Sequence, residues 1–242
     1  MKSYLDNFNL KGKTAFLVGG AGLIGEEISF ALSSAGAKVI ILDIDNDKGK
    51  DIVRVIKNNG FKASFENFDC TDLNSIEKNI NSYINKYEKI DIFINCSYPR
   101  TPDWNKSSFK DIKLNSFQKN IEMHMNSYSW IAKVIADNMI KNLDGGSIIQ
   151  FGSTYGVLGQ DLSVYEGTDM QENMPYAVIK GGITNLTRLM ASYYGKYKIR
   201  INTICPGGLV GHVAGQSNNQ NPIFVENYCK KVPLKRLGRP KE

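Results

Sequence analysis

Tyr176 and Lys180 stand four residues apart in the helix-like stretch Pro175-Tyr176-Ala177-Val178-Ile179-Lys180. That spacing places a phenol and an ammonium on one helix face. A phenol in water keeps its proton until about pH 10, too high for a base at neutral pH. A lysine about 4 Å away, at an effective dielectric near 20, favours the phenolate by roughly 4 kcal/mol, or about 3 pKa units. A tyrosine so placed can trade a proton with a substrate hydroxyl near neutrality. The same spacing also arises as a plain surface pair, so its meaning depends on the elements around it.

The N-terminal third supplies those elements. Lys11-Gly12-Lys13 leads into the apolar run Thr14-Ala15-Phe16-Leu17-Val18 and then Gly19-Gly20-Ala21-Gly22-Leu23-Ile24-Gly25. A buried strand turning sharply into a helix needs glycines for the turn and for close backbone approach. The free N–H groups of that helix then point at a pyrophosphate. Gly19, Gly22 and Gly25 have G-x-x-G-x-x-G spacing, and helical periodicity continues through Ile28, Ala31 and Leu32 to Gly36. A second strand, Ala37 to Leu42, ends at Asp43, 18 residues beyond Gly25. A carboxylate there can hold the ribose diol of NAD and repel the extra phosphate of NADP. The pattern predicts a dinucleotide site, with NAD favoured over NADP.

Composition agrees with one α/β domain over residues 1–242. The chain has 242 residues, 42% of them hydrophobic, enough for a full core. Strand-like runs alternate with helical ones, which implies a parallel sheet with helices on both faces. No linker, repeat or low-complexity tract divides it. No apolar run approaches membrane-spanning length and no signal segment opens the chain. Cys70, Cys96, Cys205 and Cys229 are scattered and read as small buried hydrophobes in a reducing cytoplasm. The net charge of +6 gathers late, at Lys230, Lys231, Lys235, Arg236, Arg239 and Lys241, without a nucleic-acid recognition motif. It reads as a solvated basic face, or as positive potential that attracts an anionic substrate. Of two histidines, neither His124 nor His212 has ligands at metal spacing, so no metal is expected.

Over almost its whole length the chain resembles the compact, single-domain branch of the short-chain dehydrogenase/reductase family. The resemblance is carried by Leu10-Lys11-Gly12-Lys13, the glycine loop, Asp69-Cys70-Thr71-Asp72, Asp91 to Asn95, Gly146 to Ser153, Tyr176 to Lys180, and Ile199 to Gly208, all in family order. It implies a Rossmann-type doubly wound sheet and an NAD(P)-dependent enzyme. Ser153 would hydrogen-bond the reacting oxygen, Tyr176 would move its proton, and Lys180 would lower the tyrosine pKa and hold the nicotinamide ribose. The loop Gly19, Gly22, Leu23, Ile24 and Gly25 would cradle the pyrophosphate. Asp69 would accept from the adenine amine beside the Cys70 N–H, Asn95 would shape the coenzyme pocket, and Pro206 and Gly207 would flank the nicotinamide. Ser153 and Asn95 can also be read as strand-end groups serving backbone. Asp69 can be read as a helix cap, although Asp72 fits a cap better.

Several positions depart from the family pattern. Val18 replaces a threonine whose hydroxyl braces the loop, a loss of roughly 1 kcal/mol, and Leu23 replaces the middle glycine. Cys96-Ser97-Tyr98 follows Asn95 in place of Asn-Ala-Gly. On the fourth helix, taken from Phe117 to Met139, His124 falls where the family has a catalytic asparagine. It would either relay a proton through water or simply face its helix neighbours. Gly211 stands where a threonine often contacts the nicotinamide amide. The Ser153–Tyr176 gap is 23 residues, longer than usual. The extra segment, Gln160 to Met170, carries Asp161, Tyr165, Glu166 and Asp169. It is either a wall for a many-hydroxyl substrate or an ordinary surface excursion.

Residues 156–174 and 208–231 are expected as substrate-side loops. Tyr98, Arg100, Trp104 and the stretch Asn218-Asn219-Gln220-Asn221 would share their rim, with Arg100 holding a phosphate or a surface salt bridge. These loop features resemble a bacterial subgroup of surface-sugar dehydrogenases, including PtmA-like proteins of flagellin glycosylation. They imply a small carbohydrate substrate, with no nucleic-acid or membrane partner. The resemblance implies a further helix and strand after the stretch Leu237 to Glu242, either beyond Glu242 or absent from a shortened form, and a homodimer or homotetramer where that end is present. Three functions follow: a dehydrogenase converting a secondary alcohol and a ketone, a redox-neutral nucleotide-sugar epimerase or dehydratase, or a non-catalytic NAD-binding protein.

Overall fold

The computed structural model describes residues 3–211 and 220–242. His212, Asn218 and Asn219 lie outside the described residues. Six strands form one all-parallel sheet: β1 (Thr14–Val18), β2 (Lys38–Asp43), β3 (Lys62–Asn67), β4 (Ile92–Asn95), β5 (Gly146–Phe151) and β6 (Ile199–Ile204). Their order is β3-β2-β1-β4-β5-β6. The chain winds outward from β1 to β3, returns to the other side of β1 for β4, and continues to β6. The reversal opens a crevice at the C-terminal ends of β1 and β4, where ligands bind in such sheets.

All five positions of β1 are buried, as in a strand covered on both faces. Phe16 and Val18 enter one core with Ile40, Leu42, Phe93 and Ile148. That core is roofed by Ile76 and Ile80 of α3 (Ile76–Tyr87), Ile131 and Ile135 of α5 (Ser127–Met139) and Met190 of α6 (Met174–Tyr194). Ala15 and Leu17 point the opposite way. They meet Ile24 and Ile28 of α1 (Leu23–Ser34) and Ile52, Val53 and Ile56 of α2 (Asn46–Asn58) in the cores of the other face. Helices therefore cover both faces, the doubly wound arrangement that the alternating pattern predicts.

The remaining helices are α4 (Leu114–Asn120) and α7 (Pro222–Lys231). The fourth-helix stretch is not one regular helix. A π-helical turn, Ile121–Asn126, separates α4 from α5, and such wide turns re-aim the side chains they carry. Two expectations need correction. Ser75, not Asp72, immediately precedes α3, and the Asp72 carbonyl accepts from Ser75 N at 3.1 Å. Asn221, expected as a rim residue, has its Oδ1 engaged in accepting from Ile223 N and Phe224 N and so caps α7.

The late basic residues are partly paired. Lys230 meets Glu226 at 2.8 Å, Lys231 meets Asp161 at 3.3 Å, and Arg236 meets Glu242 at 2.8 Å. No helix among the described residues is long and apolar enough to cross a membrane. No group of three potential metal ligands forms among them either.

Candidate active site

Tyr176 occupies the first turn of α6. Asn173 caps that helix by accepting from Tyr176 N at 2.8 Å, and Pro175 follows in the first turn, where its missing N–H costs nothing. The cap residue is itself held from two sides. Its N–H donates to Gln160 Oε1 at 3.0 Å and its Nδ2 to the Trp104 carbonyl at 3.2 Å. The long Ser153–Tyr176 segment thus fixes the start of α6. The same segment buries Val164, stacks Tyr165 on Phe224 at 5.8 Å, and accepts a bond from Asn227 at the Glu166 carbonyl. It is a docked wall against α7, not a free excursion. Asp161 spends its side chain on a turn cap and on Lys231, and Glu166 and Asp169 are exposed.

One turn behind Tyr176, Lys180 is 3% exposed. Its Nζ donates to the Phe151 carbonyl at 2.8 Å and lies 3.3 Å from His124 Nε2. Burial pushes its pKa down to about 7, because an ammonium without a carboxylate partner is poorly solvated there. Ser153, two residues beyond β5, is also buried, and its Oγ accepts from Tyr155 N at 3.1 Å.

The expected lowering of the Tyr176 pKa by Lys180 is not what the geometry yields. Burial raises the phenol above its ordinary value, and hydrogen bonding by Ser153 opposes that rise. The phenol is half-enclosed by Tyr98 at 6.1 Å and Trp104 at 6.3 Å between ring centres, while the Lys180 amine sits 5.9 Å from its ring. Desolvation of the phenolate is the largest effect on the phenol, and the buried lysine one turn behind does not outweigh it.

The crevice between β1 and β4 has the features of a dinucleotide cradle. Gly19 has φ +75°, and a Cβ there would sit 2.6 Å from Ser97 N. A Cβ on Gly25 would overlap the Gly19 carbonyl oxygen. Gly22 precedes α1 as its cap, and Leu23 and Ile24 begin the helix. Asn95 is fully buried, with Oδ1 accepting from Ser97 and Nδ2 lacking a partner among the described residues. A buried amide donor left unpaired beside a glycine turn suits a ligand with many acceptors. Asp43 Oδ2 accepts from Ala21 N at 2.9 Å and Oδ1 from Asp45 N at 3.1 Å, so the carboxylate braces the loop it adjoins. Asp69 Oδ1 accepts from Thr71 N and Thr71 Oγ1, which is a local turn and not a helix cap. Cys70 is partly buried beside it, and burial pushes its thiol up to about 11.

Two departures from the family pattern prove to be compensated. Where the threonine hydroxyl is missing at Val18, the Cys96 thiol donates to the Val18 carbonyl at 3.3 Å. Leu23 fills the space that a side chain at Gly211 would occupy, its Cδ atoms 2.9 and 3.0 Å from that Cβ position.

Pro206 accepts from Thr154 N at 3.2 Å, and Gly208 N donates to the Tyr228 hydroxyl at 2.7 Å. Pro206 and Gly207 are thereby held between the serine loop and α7. Tyr228 and Phe224 are site-wall residues that sequence reasoning missed. Their only signal is aromatic spacing on α7, a helix that occupies the second half of the stretch 208–231 expected as a loop. Arg100 places its guanidinium 5.3 Å from the Tyr98 ring centre. A separate cavity of about 700 Å³, lined by Ile24, Ile28, Phe151, Ile204, Pro206 and Leu209 with Arg239 to Glu242, lies beside this site and does not include Ser153 or Tyr176.

A proton-carrying phenol backed by a buried amine, opening toward a phosphate cradle, is the equipment of a nicotinamide-dependent oxidoreductase. Comparison with known proteins agrees with that class. The chain belongs to the short chain dehydrogenase family, whose profile matches residues 13–222. It is 30% identical over 223 residues to post-translational flagellin modification protein A of Campylobacter coli, covering 91% of this chain and 84% of that one. It is 26% identical over 259 residues to the ribulose-forming D-arabinitol 2-dehydrogenase of Scheffersomyces stipitis, covering 98% and 85%. Its fold matches a gluconate 5-dehydrogenase from Burkholderia cenocepacia, solved with NADP and tartrate, at a TM-score of 0.85. That match has 23% identity and covers 99% of this chain and 88% of that one.

Proposed function

We propose that this chain is an NAD-dependent dehydrogenase that interconverts a secondary alcohol and a ketone on a sugar or sugar phosphate. The observation that carries the reading is the convergence of Ser153, Tyr176 and buried Lys180 beside the glycine crevice. NAD, when bound, supplies the hydride acceptor. Gly19, Gly22 and Gly25 would admit its pyrophosphate, Asp43 its adenosine ribose, Lys180 its second ribose, and Pro206 and Gly207 its nicotinamide. Ser153 orients the substrate oxygen, and Tyr176 takes its proton during oxidation.

The substrate class is supported by the walls. Tyr98 and Trp104 pack edge-on against Tyr176, and Tyr165 and Tyr228 lie near enough to act on it electrostatically, an aromatic and hydroxyl-bearing lining that suits the alternating C–H and O–H surface of a sugar. The relatives named for flagellin modification and arabinitol oxidation fit the same class, and a role in surface-glycan precursor synthesis follows from it. A cytoplasmic location and a homo-oligomer go with this reading. Exposed Trp130 on α5, with Leu189 and Tyr193 on α6, are the positions a second copy would cover.

The test is NADH formation across a panel of polyols, sugars and sugar phosphates. Turnover on carbohydrates alone supports the reading. Silence despite calorimetrically confirmed NAD binding would move the assignment to a redox-neutral enzyme or a non-catalytic NAD-binding protein. Asp43→Ala is expected to weaken NAD binding by roughly tenfold or more, the loss of a charge-assisted hydrogen bond worth about 1.5–3 kcal/mol. NADP affinity should fall less, and paired calorimetric titrations would show this. An unchanged NAD/NADP ratio would remove Asp43 from the selection of cofactor.

A further inference from the structure

Lys180 is the only lysine or arginine in the buried class among the described residues, and no carboxylate pairs with it there. An ammonium carries three donors. One goes to the Phe151 carbonyl and a second meets His124 Nε2 at 3.3 Å. This leaves one for a ligand. The other groups facing the amine are the rings of Tyr98, Tyr128 and Tyr176, at 5.7, 5.1 and 5.9 Å. Cys205 and then Cys96 act on its charge electrostatically, against the larger effect of burial.

His124 comes from the π-helical turn Ile121–Asn126 and is 0% exposed. Tyr98 packs edge-on to its ring at 5.3 Å and Tyr128 lies tilted against it at 5.2 Å. Two cations cannot share a 3.3 Å contact in so dry a place. Burial first, and then the Lys180 charge, hold the imidazole neutral, with the Pro99 backbone acting in the opposite direction. A neutral imidazole has one acceptor nitrogen. Facing a donor, Nε2 must be that acceptor, and Nδ1 carries the proton. Nδ1 forms no regular hydrogen bond among the described residues. A relay through this ring would need a second partner to pass the proton on; beyond the Pro99 backbone carbonyl, which can accept but not relay, its neighbours are aromatic rings.

We propose that His124 is a positioning residue, not a proton relay. Its neutral Nε2 and the Phe151 carbonyl together fix the Lys180 amine one helical turn behind the Tyr176 phenol. The role rests on the reading of Tyr176 as the proton-transfer group, yet the contact itself can be tested without turnover.

The experiment is nitrogen NMR of the His124 ring with a carbon NMR titration of the Lys180 ε-methylene, in the wild type, His124→Phe and His124→Gln. The wild type should show a neutral Nδ1–H tautomer across the neutral range. His124→Phe keeps a ring but removes the acceptor. The Lys180 titration should then fall by about one unit, a tenfold change, because a lost acceptor disfavours the charged form. His124→Gln, whose amide oxygen can accept, should bring it back toward the wild-type position. A residue that only fills space would lower the melting temperature in His124→Phe and leave the lysine titration where it was. An Nε2–H tautomer in the wild type, or a Lys180 titration identical in all three proteins, would overturn the proposal. A protein silent on the substrate panel that still shows the lysine shift would sink the dehydrogenase reading and leave the positioning role standing. An active enzyme with an unmoved lysine would do the reverse.

Discussion

Tyr176→Phe is expected to lower the rate of alcohol oxidation by about 10²–10⁴-fold, the usual weight of a positioned acid–base group, while NAD binding changes little. The substitution is a clean one here. A phenylalanine keeps the edge contacts to Tyr98 and Trp104, and the Asn173 cap is made by the backbone N–H of residue 176. Only the hydroxyl is removed, and with it the group proposed to exchange a proton with substrate. Burial favours the protonated phenol and Ser153 favours the phenolate. Ser153→Ala should therefore also slow the reaction, by a smaller factor. The measurements are steady-state rates beside calorimetric NAD titrations and melting curves. A Tyr176→Phe enzyme retaining more than about a tenth of the wild-type rate could not be reconciled with acid–base work of this size, and Tyr176 would lose its assigned role.

The parts of this site that could be read in the sequence are those set by local spacing. Val18 to Gly25 spells a strand, a turn and a helix start in consecutive residues, and β2 runs to Asp43 by continuous apolar patterning. Tyr176 and Lys180 share a helix face because four residues make about one turn. What spacing could not supply was the environment brought from elsewhere in the chain. The i,i+4 geometry suggested a charge that activates the phenol, but Tyr98, Trp104 and the buried lysine pocket come from other elements and reverse the balance. His124 could be placed on the fourth helix by the family resemblance. That its ring meets Lys180 depends on a π-helical turn, which no side-chain pattern in that stretch announces. Likewise Cys96 replaces the missing hydroxyl at position 18 from a neighbouring strand, a pairing visible only once β1 and β4 lie side by side. The long segment before Tyr176 was legible as an insertion. Its task of holding the Asn173 cap through Gln160 was not, since the cap bond spans 13 residues.

Gly25→Ala is expected to disable the cofactor site as thoroughly as Tyr176→Phe disables the chemistry. The added methyl would overlap the Gly19 carbonyl oxygen and lie 2.7 Å from Gly20 Cα and 2.9 Å from the Gly19 carbonyl carbon. All three are backbone atoms, so no side chain can swing aside. Nor can the turn retreat, because the Cβ position of Gly19 already abuts Ser97 N and Cys96 on the next strand's exit. The strain must then lift α1 away from β1, and the N–H groups proposed to face the pyrophosphate move with it. A displacement near 1 Å in a positioned site costs about 10² in function, and overpacking adds roughly 1–3 kcal/mol of destabilisation. NAD affinity should therefore fall about a hundredfold, with a lower melting temperature. Gly195→Ala is the matched control. It sits at the end of α6 with φ −56°, and nothing lies within 4 Å of its added methyl, so both readouts should stay at wild-type values. If Gly25→Ala bound NAD as tightly as Gly195→Ala, the turn after β1 could not be the pyrophosphate cradle. The crevice at the β1–β4 switch point would then need a different ligand.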